Sequence, residues 1–260
     1  MRTAVRAGVA AGRLILESYG KLKNSQIKVK TKNDFVTEID KKSEELIISA
    51  IRKRFPGHAF QAEESGCGGA SSDALWVIDP LDGTANYIHQ FPMFSVSIAL
   101  VLNGKLTVGT VVDPVHGEVF TAERGKGAFL NKKRIRVSGV KRLADAMMAT
   151  GIPFRARGRF HEYMASFEKI SRRSAGMRRG GSAALDLAYV ASGRFDGFWE
   201  INLAAWDMAA GALLIREAGG RVSDLWGGDG FLKNGDVLAS NGFIHRELET
   251  ITLNFLRPKP

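Results

Sequence analysis

The 260-residue chain has almost no cysteine, no long apolar run and no internal repeat. Because Cys67 is its only cysteine, an internal disulfide is excluded, and a reducing, cytoplasmic compartment is favoured. No stretch approaches the roughly 20 apolar residues of a membrane helix, and Arg13 and Glu17 interrupt the apolar start of the chain, which disfavours a signal peptide. Apolar residues make up 45% of the sequence and charged residues 25%, so a disordered or collagen-like chain is excluded.

Acidic residues are in deficit: 27 Asp and Glu oppose 37 Lys and Arg, which gives a net charge of +10. Basic residues concentrate in residues 21–32 (Lys32 included), 132–142 and 155–179. The last run holds two clusters, namely Arg155, Arg157 and Arg159, and Lys169, Arg172, Arg173, Arg178 and Arg179. A phosphate-attracting surface and an ordinary solvated face both explain such runs. Aromatic residues are not interleaved with them, so charge alone names no partner.

Apolar periodicity predicts two helices at the start of the chain. The first covers residues 2–19, and its expected apolar face comprises Val5, Val9, Leu14, Leu16 and Tyr19. The second begins near residues 34–37 and ends at about Phe55, before Pro56-Gly57. Strand-like runs follow at residues 58–61, 75–78, 95–102, 106–112 and 119–122. Turn signals between the last three predict an antiparallel meander.

After about residue 140 the pattern changes to alternating strands and helices. Strands are predicted near residues 146–150, 195–199, 221–223 and 237–239, and helices near residues 160–172, 182–192 and 206–218. We therefore predict an α+β half, residues 1–140, and an α/β half, residues 141–260, packed as one unit.

The stretch Trp76-Val77-Ile78-Asp79-Pro80-Leu81-Asp82-Gly83-Thr84 carries the strongest chemical signal. An apolar strand leads into two carboxylates three positions apart, at a turn made by Pro80 and Gly83. Such an oxygen set suits a hard divalent cation, for which Mg²⁺ is typical. A helix can begin at Gly83 and Thr84, and the free N–H groups of its first turn can bind an anion. The alternative is an ordinary turn in which aspartate only bonds its own backbone.

Two other acidic elements are ambiguous when each is taken alone. Glu63 and Glu64 follow a predicted strand, but paired glutamates are commonly just surface residues. Asp207 begins an otherwise apolar helix, where it could simply cap the helix. Glu200 follows the strand predicted near residues 195–199, at a strand exit where α/β proteins tend to bind ligands, although a solvated loop acid is the plainer interpretation.

In order and spacing, three motifs resemble those of the inositol monophosphatase family of Mg²⁺-dependent, lithium-sensitive phosphatases. They are Glu63-Glu64-Ser65, Asp79-Pro80-Leu81-Asp82-Gly83-Thr84-Ala85-Asn86 and Trp206-Asp207-Met208-Ala209-Ala210-Gly211. The bacterial branch is resembled most, through Asn33-Asp34-Phe35-Val36-Thr37 and residues 181–191. The resemblance covers essentially the whole chain. It implies a layered αβαβα sandwich, a homodimer, and two or three Mg²⁺ ions per site.

The resemblance also implies roles for individual residues. The metal ligands would be Glu63, Asp79, the Leu81 carbonyl, Asp82 and Asp207. Thr84 would orient an attacking water, with Asp40 as partner to its hydroxyl and Glu63 acting on the same water. The substrate would be bound by Asp82, Gly83, Thr84, Gly181, Ser182, Ala183, Glu200 and Asp207. Direct attack by water is expected, without a phosphorylated residue.

The expected activity is hydrolysis of inositol 1-phosphate and related sugar or polyol monophosphates. Fructose-1,6-bisphosphatase, histidinol-phosphatase and 3′-phosphoadenosine nucleotidases share the metal motif and stay open as alternatives. A different class is also open: a binding protein that joins transcription or RNA-processing complexes through its basic surface, because bacterial relatives of this type are associated with ribosomal RNA transcription.

Overall fold

The computed structural model describes residues 1–31, 34–69, 72–153 and 157–256; Lys32, Asn33 and Arg155 lie outside these ranges. The α-helices within them are α1 (Arg2–Ser18), α2 (Glu38–Arg54), α3 (Thr84–Ile88), α4 (Phe160–Ser171), α5 (Ala183–Ala191), α6 (Ala205–Glu217), α7 (Phe231–Asn234) and α8 (His245–Phe255). The strands are β1 (Ile27–Thr31), β2 (Asp34–Thr37), β3 (Ala59–Ala62), β4 (Gly66–Gly68), β5 (Ala74–Asp82), β6 (Ser95–Leu102), β7 (Lys105–Asp113), β8 (Glu118–Glu123), β9 (Gly127–Leu130), β10 (Lys133–Ile135), β11 (Met147–Thr150), β12 (Gly176–Arg178), β13 (Gly197–Glu200), β14 (Arg221–Ser223) and β15 (Val237–Ser240).

An eight-stranded sheet forms the first half, in the order β10-β9-β8-β7-β6-β5-β3-β4. From β5 to β10 consecutive strands pair antiparallel, which confirms the predicted meander. Asn103 and Gly104 both have positive φ, at 49° and 70°, as the tight β6–β7 turn requires. β3 is parallel to β5, so the chain leaves both strands at the same edge of the sheet.

A five-stranded sheet forms the second half, in the order β12-β11-β13-β15-β14. β11 is parallel to both of its neighbours, whereas β15 is antiparallel to β13 and β14. The predicted boundary at residue 140 falls between the two sheets, because β10 ends at Ile135 and β11 begins at Met147. The division into two units stays a prediction.

The elements stack in five layers, as the resemblance implies. Helices α1 and α2 cover one face of the large sheet, in a core that includes Ile15, Ile47 and Ile78. Helices α5 and α6 lie between the two sheets and share a core with Val77 and Phe198. Helices α4 and α8 cover the outer face of the small sheet. Neighbours along β5 alternate between cores, as a pleated strand requires.

The predicted apolar face of α1 is only partly correct: Val9, Leu14 and Tyr19 pack against the core as partly buried residues, but Leu16 does not. Leu16 is 38% exposed, whereas the buried residues are Ala4, Ala7, Gly8, Ala11, Gly12 and Ile15. A Cβ atom on Gly8 would lie 3.0 Å from Val112, and one on Gly12 would lie 3.2 Å from Pro114. The helix approaches β7 so closely that small residues, rather than the largest apolar ones, face the sheet.

Several boundaries differ from the predicted ones. Helix α2 begins at Glu38 because the Thr37 hydroxyl caps it, and residues 34–37 form β2 instead. Helix α8 was not predicted at all. Cys67 is exposed in the edge strand β4. Among the described residues, no helix combines the length and apolar character that crossing a membrane would take.

Candidate active site

The carboxyl end of β5 presents two of the predicted ligands. Asp79 pairs with Ser97 on β6, and the pairing register then shifts before Asp82, which pairs with Ser95. The Leu81 N–H donates to Asp79 Oδ1 at 3.0 Å, and the Ser43 hydroxyl donates to the Pro80 carbonyl at 2.8 Å. The irregularity interrupts the regular backbone pairing of β5 with β6 between the two aspartates, and both carboxylates lie at this edge of the sheet.

Asp82 links this edge to the second half of the chain. Its Oδ2 atom accepts hydrogen bonds from the Ser182 hydroxyl at 2.5 Å and from the Ala184 N–H at 2.8 Å. Both donors belong to the first turn of α5, where a carboxylate is favoured by the helix dipole. The contact holds the start of α5 against the end of β5.

Asp207, the third predicted ligand of the group, comes from α6. Its Oδ2 atom accepts from the Ala204 N–H at 2.7 Å, so it caps the helix as the simpler interpretation held. It also converges with the β5 acids: one oxygen from each of Asp79, Asp82 and Asp207 lies within 4.8 Å of the others. The cap and the cluster are compatible, because a carboxylate has several lone-pair positions.

Burial and mutual repulsion make this cluster unfavourable without a cation. Burial, followed by the charges of Glu63, Asp82 and Asp207, raises the pKa of Asp79 well above its ordinary value. Burial raises the pKa of Asp82 to about 6, against the opposing effect of its bonds from Ser182 and Ala184. An all-oxygen, multiply anionic donor set of this kind fits a hard divalent cation such as Mg²⁺.

Glu63 lies beside the cluster at the end of β3. Its N–H donates to the Ile78 carbonyl at 3.2 Å, which continues the parallel pairing with β5. The following turn is fixed from α2, since the Glu44 carboxylate accepts from the N–H groups of Glu64 at 2.8 Å and Ser65 at 2.9 Å. The Glu63-Glu64-Ser65 motif is therefore a turn beside the site that hydrogen bonds to Glu44 hold in place.

Thr84 and Asp40 form the predicted hydroxyl–carboxylate pair. The Thr84 hydroxyl lies 2.9 Å from Asp40 Oδ1 and 3.0 Å from the Leu81 carbonyl, and it has one proton to donate. Asp40 is fully buried at the start of α2, where Thr37 donates to its other oxygen. Burial raises the pKa of Asp40 to about 6, so above that pH its carboxylate is the stronger acceptor for the Thr84 proton.

Gly83 shapes the turn between β5 and α3. Its φ of 93° is in the left-handed region, and a Cβ atom would lie 3.0 Å from the Met93 carbonyl. The Asn86 amide donates to the carbonyls of Met93 and Gly180, which joins α3 to the loop before α5. The first N–H groups of α3 have no acceptor within the helix, so they can face an anion.

One cavity of about 950 Å³, including its open mouth, contains nearly all of the predicted site. Its lining includes Glu63, Asp79, Leu81, Asp82, Gly83, Thr84, Gly181, Ser182, Ala183, Glu200 and Asp207. Asp40 is not part of the lining and reaches the site through Thr84. The structure thus brings together residues from both halves of the chain, although their individual roles stay predictions.

Several lining residues were missed by the sequence analysis, among them Gly151, Ile152, Arg179 and Asp186. Asp186 is buried in α5, and its Oδ1 atom has no hydrogen-bond partner among the described residues. Burial, and then the charges of Glu200 and Asp82, raise its pKa well above the ordinary value, against a lowering by Arg179. An acid inside the apolar run of residues 183–191 was a signal that could have found it.

Comparison with known proteins agrees with this geometry. The model of the "Inositol monophosphatase family" matches residues 1–256. The chain is 47% identical to a "Nus factor SuhB" of Pseudomonas aeruginosa, over 99% of this chain and 97% of that one. It is 45% identical to an "Inositol-1-monophosphatase" of Mesorhizobium japonicum, over 95% and 94%. The crystal structure of the suhB protein of Bartonella henselae superposes with a TM-score of 0.93 at 44% identity, over 96% and 97% of the two chains. The chain belongs to the inositol monophosphatase family.

Proposed function

We propose that this protein is a Mg²⁺-dependent phosphatase that hydrolyses inositol 1-phosphate and related polyol monophosphates by direct attack of water. The observation that carries this proposal is the meeting of Asp79, Asp82 and Asp207 within 4.8 Å in a cavity that Glu200 also lines. An anionic cluster alone repels a phosphate. The same residues are better explained as a cation-binding site, because the bound cation attracts the phosphate.

The cation would be held by Glu63, Asp79, the Leu81 carbonyl, Asp82 and Asp207. When bound, it supplies positive charge to the phosphate and makes a bound water more acidic. The chain's own residues supply orientation. Thr84 donates its proton to Asp40, which leaves the Thr84 oxygen free to accept from the attacking water. Glu63 lines the same cavity, and its charge acts on Asp79 and Asp40, so it would accept a proton from that water.

The substrate has two ends, and the cavity offers a matching surface for each. The N–H groups of Gly83 and Thr84 face the phosphate end. Gly181, Ser182, Ala183 and Glu200 line the same cavity and would bind the hydroxyl groups. A single carboxylate that accepts hydrogen bonds from ring hydroxyls provides little selectivity, so we expect the protein to hydrolyse several polyol phosphates.

The test is phosphate release from inositol 1-phosphate, fructose 1,6-bisphosphate and a 3′-nucleotide, with Mg²⁺ present or chelated and with lithium added. We expect Mg²⁺-dependent, lithium-inhibited release that favours inositol 1-phosphate. Preference for another of the three would assign the sibling activity instead. Folded protein that releases phosphate from none of them would overturn the proposal.

A second function, binding to a transcription complex or RNA, is favoured by the similarity to the Pseudomonas relative, which is named a Nus factor. The basic clusters support it only in part. Arg159, Arg172 and Arg173 already pair with Asp236, Glu168 and Glu247. Within the described residues Lys169, Arg178 and Arg179 are exposed and form no salt bridge.

Because Arg179 also lines the cavity, the clean test of this second function reverses only Lys169 and Arg178 to glutamate. Partner binding should be lost while phosphate release persists. Binding that survives the reversal would mean that these charges only solvate the surface.

The expected homodimer and the cytoplasmic location stay predictions. Size-exclusion chromatography with light scattering tests the homodimer.

A further inference from the structure

The Glu200 carboxylate lies directly over the Cα atom of Gly151. A Cβ atom on Gly151 would fall 2.0–2.1 Å from the carboxyl carbon and both oxygens of Glu200. Any side chain at position 151 would therefore occupy the place of the carboxylate itself. Gly151 is buried and follows β11 directly, whereas Glu200 ends the neighbouring parallel strand β13, so the two residues meet at one sheet edge.

A second contact ties the backbone of both strand ends together. The Tyr163 hydroxyl, fully buried on α4, lies 2.8 Å from the Gly151 carbonyl and 3.1 Å from the Trp199 carbonyl. The Thr150 hydroxyl lies 2.7 Å from the same Trp199 carbonyl. The Thr150 and Tyr163 hydroxyls also contact each other, and either of them can be the donor of that bond. This network sets the spacing between the ends of β11 and β13.

We propose that Gly151 and Tyr163 are positioning residues that determine selectivity for polyol phosphates, by holding the Glu200 carboxylate at a fixed distance from the carboxylate cluster. The inference rests on the proposed function and concerns its substrate class. Gly151 supplies the space for the carboxylate, and Tyr163 keeps that space open toward the cavity. Neither belongs to the β5, α3 or α6 segments that face the phosphate, so the phosphate end is left intact when they change.

The test compares two substrates of the Mg²⁺-loaded protein: inositol 1-phosphate, and p-nitrophenyl phosphate, which has no hydroxyl groups to recognise. In Gly151→Ala, KM for inositol 1-phosphate should rise about tenfold to hundredfold, the loss expected when a hydrogen bond to a charged group is displaced. In Tyr163→Phe, which removes only the hydroxyl, the rise should be a few-fold. KM for p-nitrophenyl phosphate should change less than about twofold in both, because the displaced bond is absent with that ester. Gly139→Ala is the matched control, since a Cβ atom there meets nothing within 4 Å.

A double-mutant cycle separates positioning from a general structural effect. If Gly151 acts through Glu200, adding Gly151→Ala to Glu200→Ala should cause no further loss of selectivity. Equal losses for both substrates, or additive losses in the cycle, would overturn the inference. Should Gly151→Ala fail to fold, Tyr163→Phe in the same cycle decides. Wild-type protein that hydrolyses neither ester would overturn the proposed function, whereas wild-type activity with unchanged selectivity in the variants overturns this inference alone.

Discussion

The two ends of the cavity are held in place by different means. At the end that we propose binds the metal, here called the metal end, Asp79 and Asp207 are each fixed by a backbone N–H two or three residues away in the chain. At the end that we propose binds the substrate hydroxyls, here called the hydroxyl end, Glu200 depends on Gly151 and Tyr163, which come from other elements. Short motifs therefore specify the first geometry, while packing between strands and helices specifies the second.

Asp82 stands between these two cases. It belongs to the local motif, yet both of its donors, Ser182 and Ala184, lie about a hundred positions further along the chain. The Asp82 carboxylate of the metal end is therefore held in place only when the two halves of the protein pack together. If metal chemistry dominates function, Asp82 should be the most sensitive position of the cavity.

The largest expected effect comes from Asp82→Asn. The amide keeps the shape and can still accept from Ser182, but it removes one negative charge from the cluster. We expect turnover to fall by about 10³-fold, because metal-based charge stabilisation contributes several kcal/mol. Circular dichroism and the melting temperature should show that the fold survives.

The matched control is Asp229→Asn, which changes an exposed acid paired with Arg216 and should leave turnover unchanged. Near-normal turnover by folded Asp82→Asn protein would remove Asp82 from the ligand set. The contrast between a motif-defined metal end and a packing-defined hydroxyl end would then be wrong.

Thr84→Ala should cause the next largest loss, about 10²-fold in kcat, the lower end of what a positioned proton-handling group contributes. Thr84→Ser keeps the hydroxyl and should recover most of the activity. Mg²⁺ affinity, measured by calorimetry, should be the same in both variants, because the Thr84 side chain is not among the predicted ligands. If serine were as slow as alanine, the threonine methyl, and not the Asp40-bonded hydroxyl, would be the essential feature.

The same contrast explains what could be predicted from the sequence. The meander, most strands of the second half and helices α4, α5 and α6 follow from periodicity and turn residues, because each signal is local. The burial of Gly8 and Gly12 on α1 could not be predicted, since it is set by how closely the helix approaches β7. No apolar-periodicity rule anticipates a helix that buries its smallest residues.

Site residues divide along the same line. The spacing of Asp79 and Asp82 already points to a cation, whereas Asp207 joins them only through the family resemblance; one oxygen of each lies within 4.8 Å of the others. Gly151 carries no local signal, and the acid Asp186 within an apolar run signals only burial, because the proximity of both residues to Glu200 arises only when α5, β11 and β13 pack together. Family resemblance supplied Glu200, but not the residues that hold it.

Mg²⁺ affinity should depend on pH at the metal end. The pKa of Asp82 is raised to about 6 and that of Asp79 further above its ordinary value, so protons compete with the cation as the pH falls. A single group with a pKa of about 6 predicts affinity about tenfold weaker at pH 5 than at pH 7.5. Calorimetry in buffers of different ionisation enthalpy should detect proton release on binding. Affinity that is flat across this range would mean that the carboxylates are already ionised in the free protein.

The smallest expected effect lies at the hydroxyl end and concerns stability. The pKa of Asp186 is raised by burial and by Glu200, so the folded state binds the Asp186 proton more tightly than the unfolded state does. Its contribution to stability is complete below the ordinary pKa of an aspartate and is lost as the pH rises through the folded-state pKa. Asp186→Asn has no proton to lose. Its melting temperature relative to wild type should therefore rise with pH, by about 2–4 °C for each kcal/mol in a chain of this size.

Scanning fluorimetry from pH 4 to pH 9 tests this expectation, with Asp145→Asn as an exposed-acid control. A difference between Asp186→Asn and wild type that grows with pH identifies Asp186 as a destabilising buried acid. A constant difference would show that the pKa of Asp186 is the same in the folded and unfolded states, so that burial does not raise it. A melting temperature of Asp186→Asn that falls below that of wild type at high pH would show that the Asp186 charge is compensated. The hydroxyl end would then be held by electrostatic pairing, as the metal end is by its cation. The distinction between the two ends would disappear.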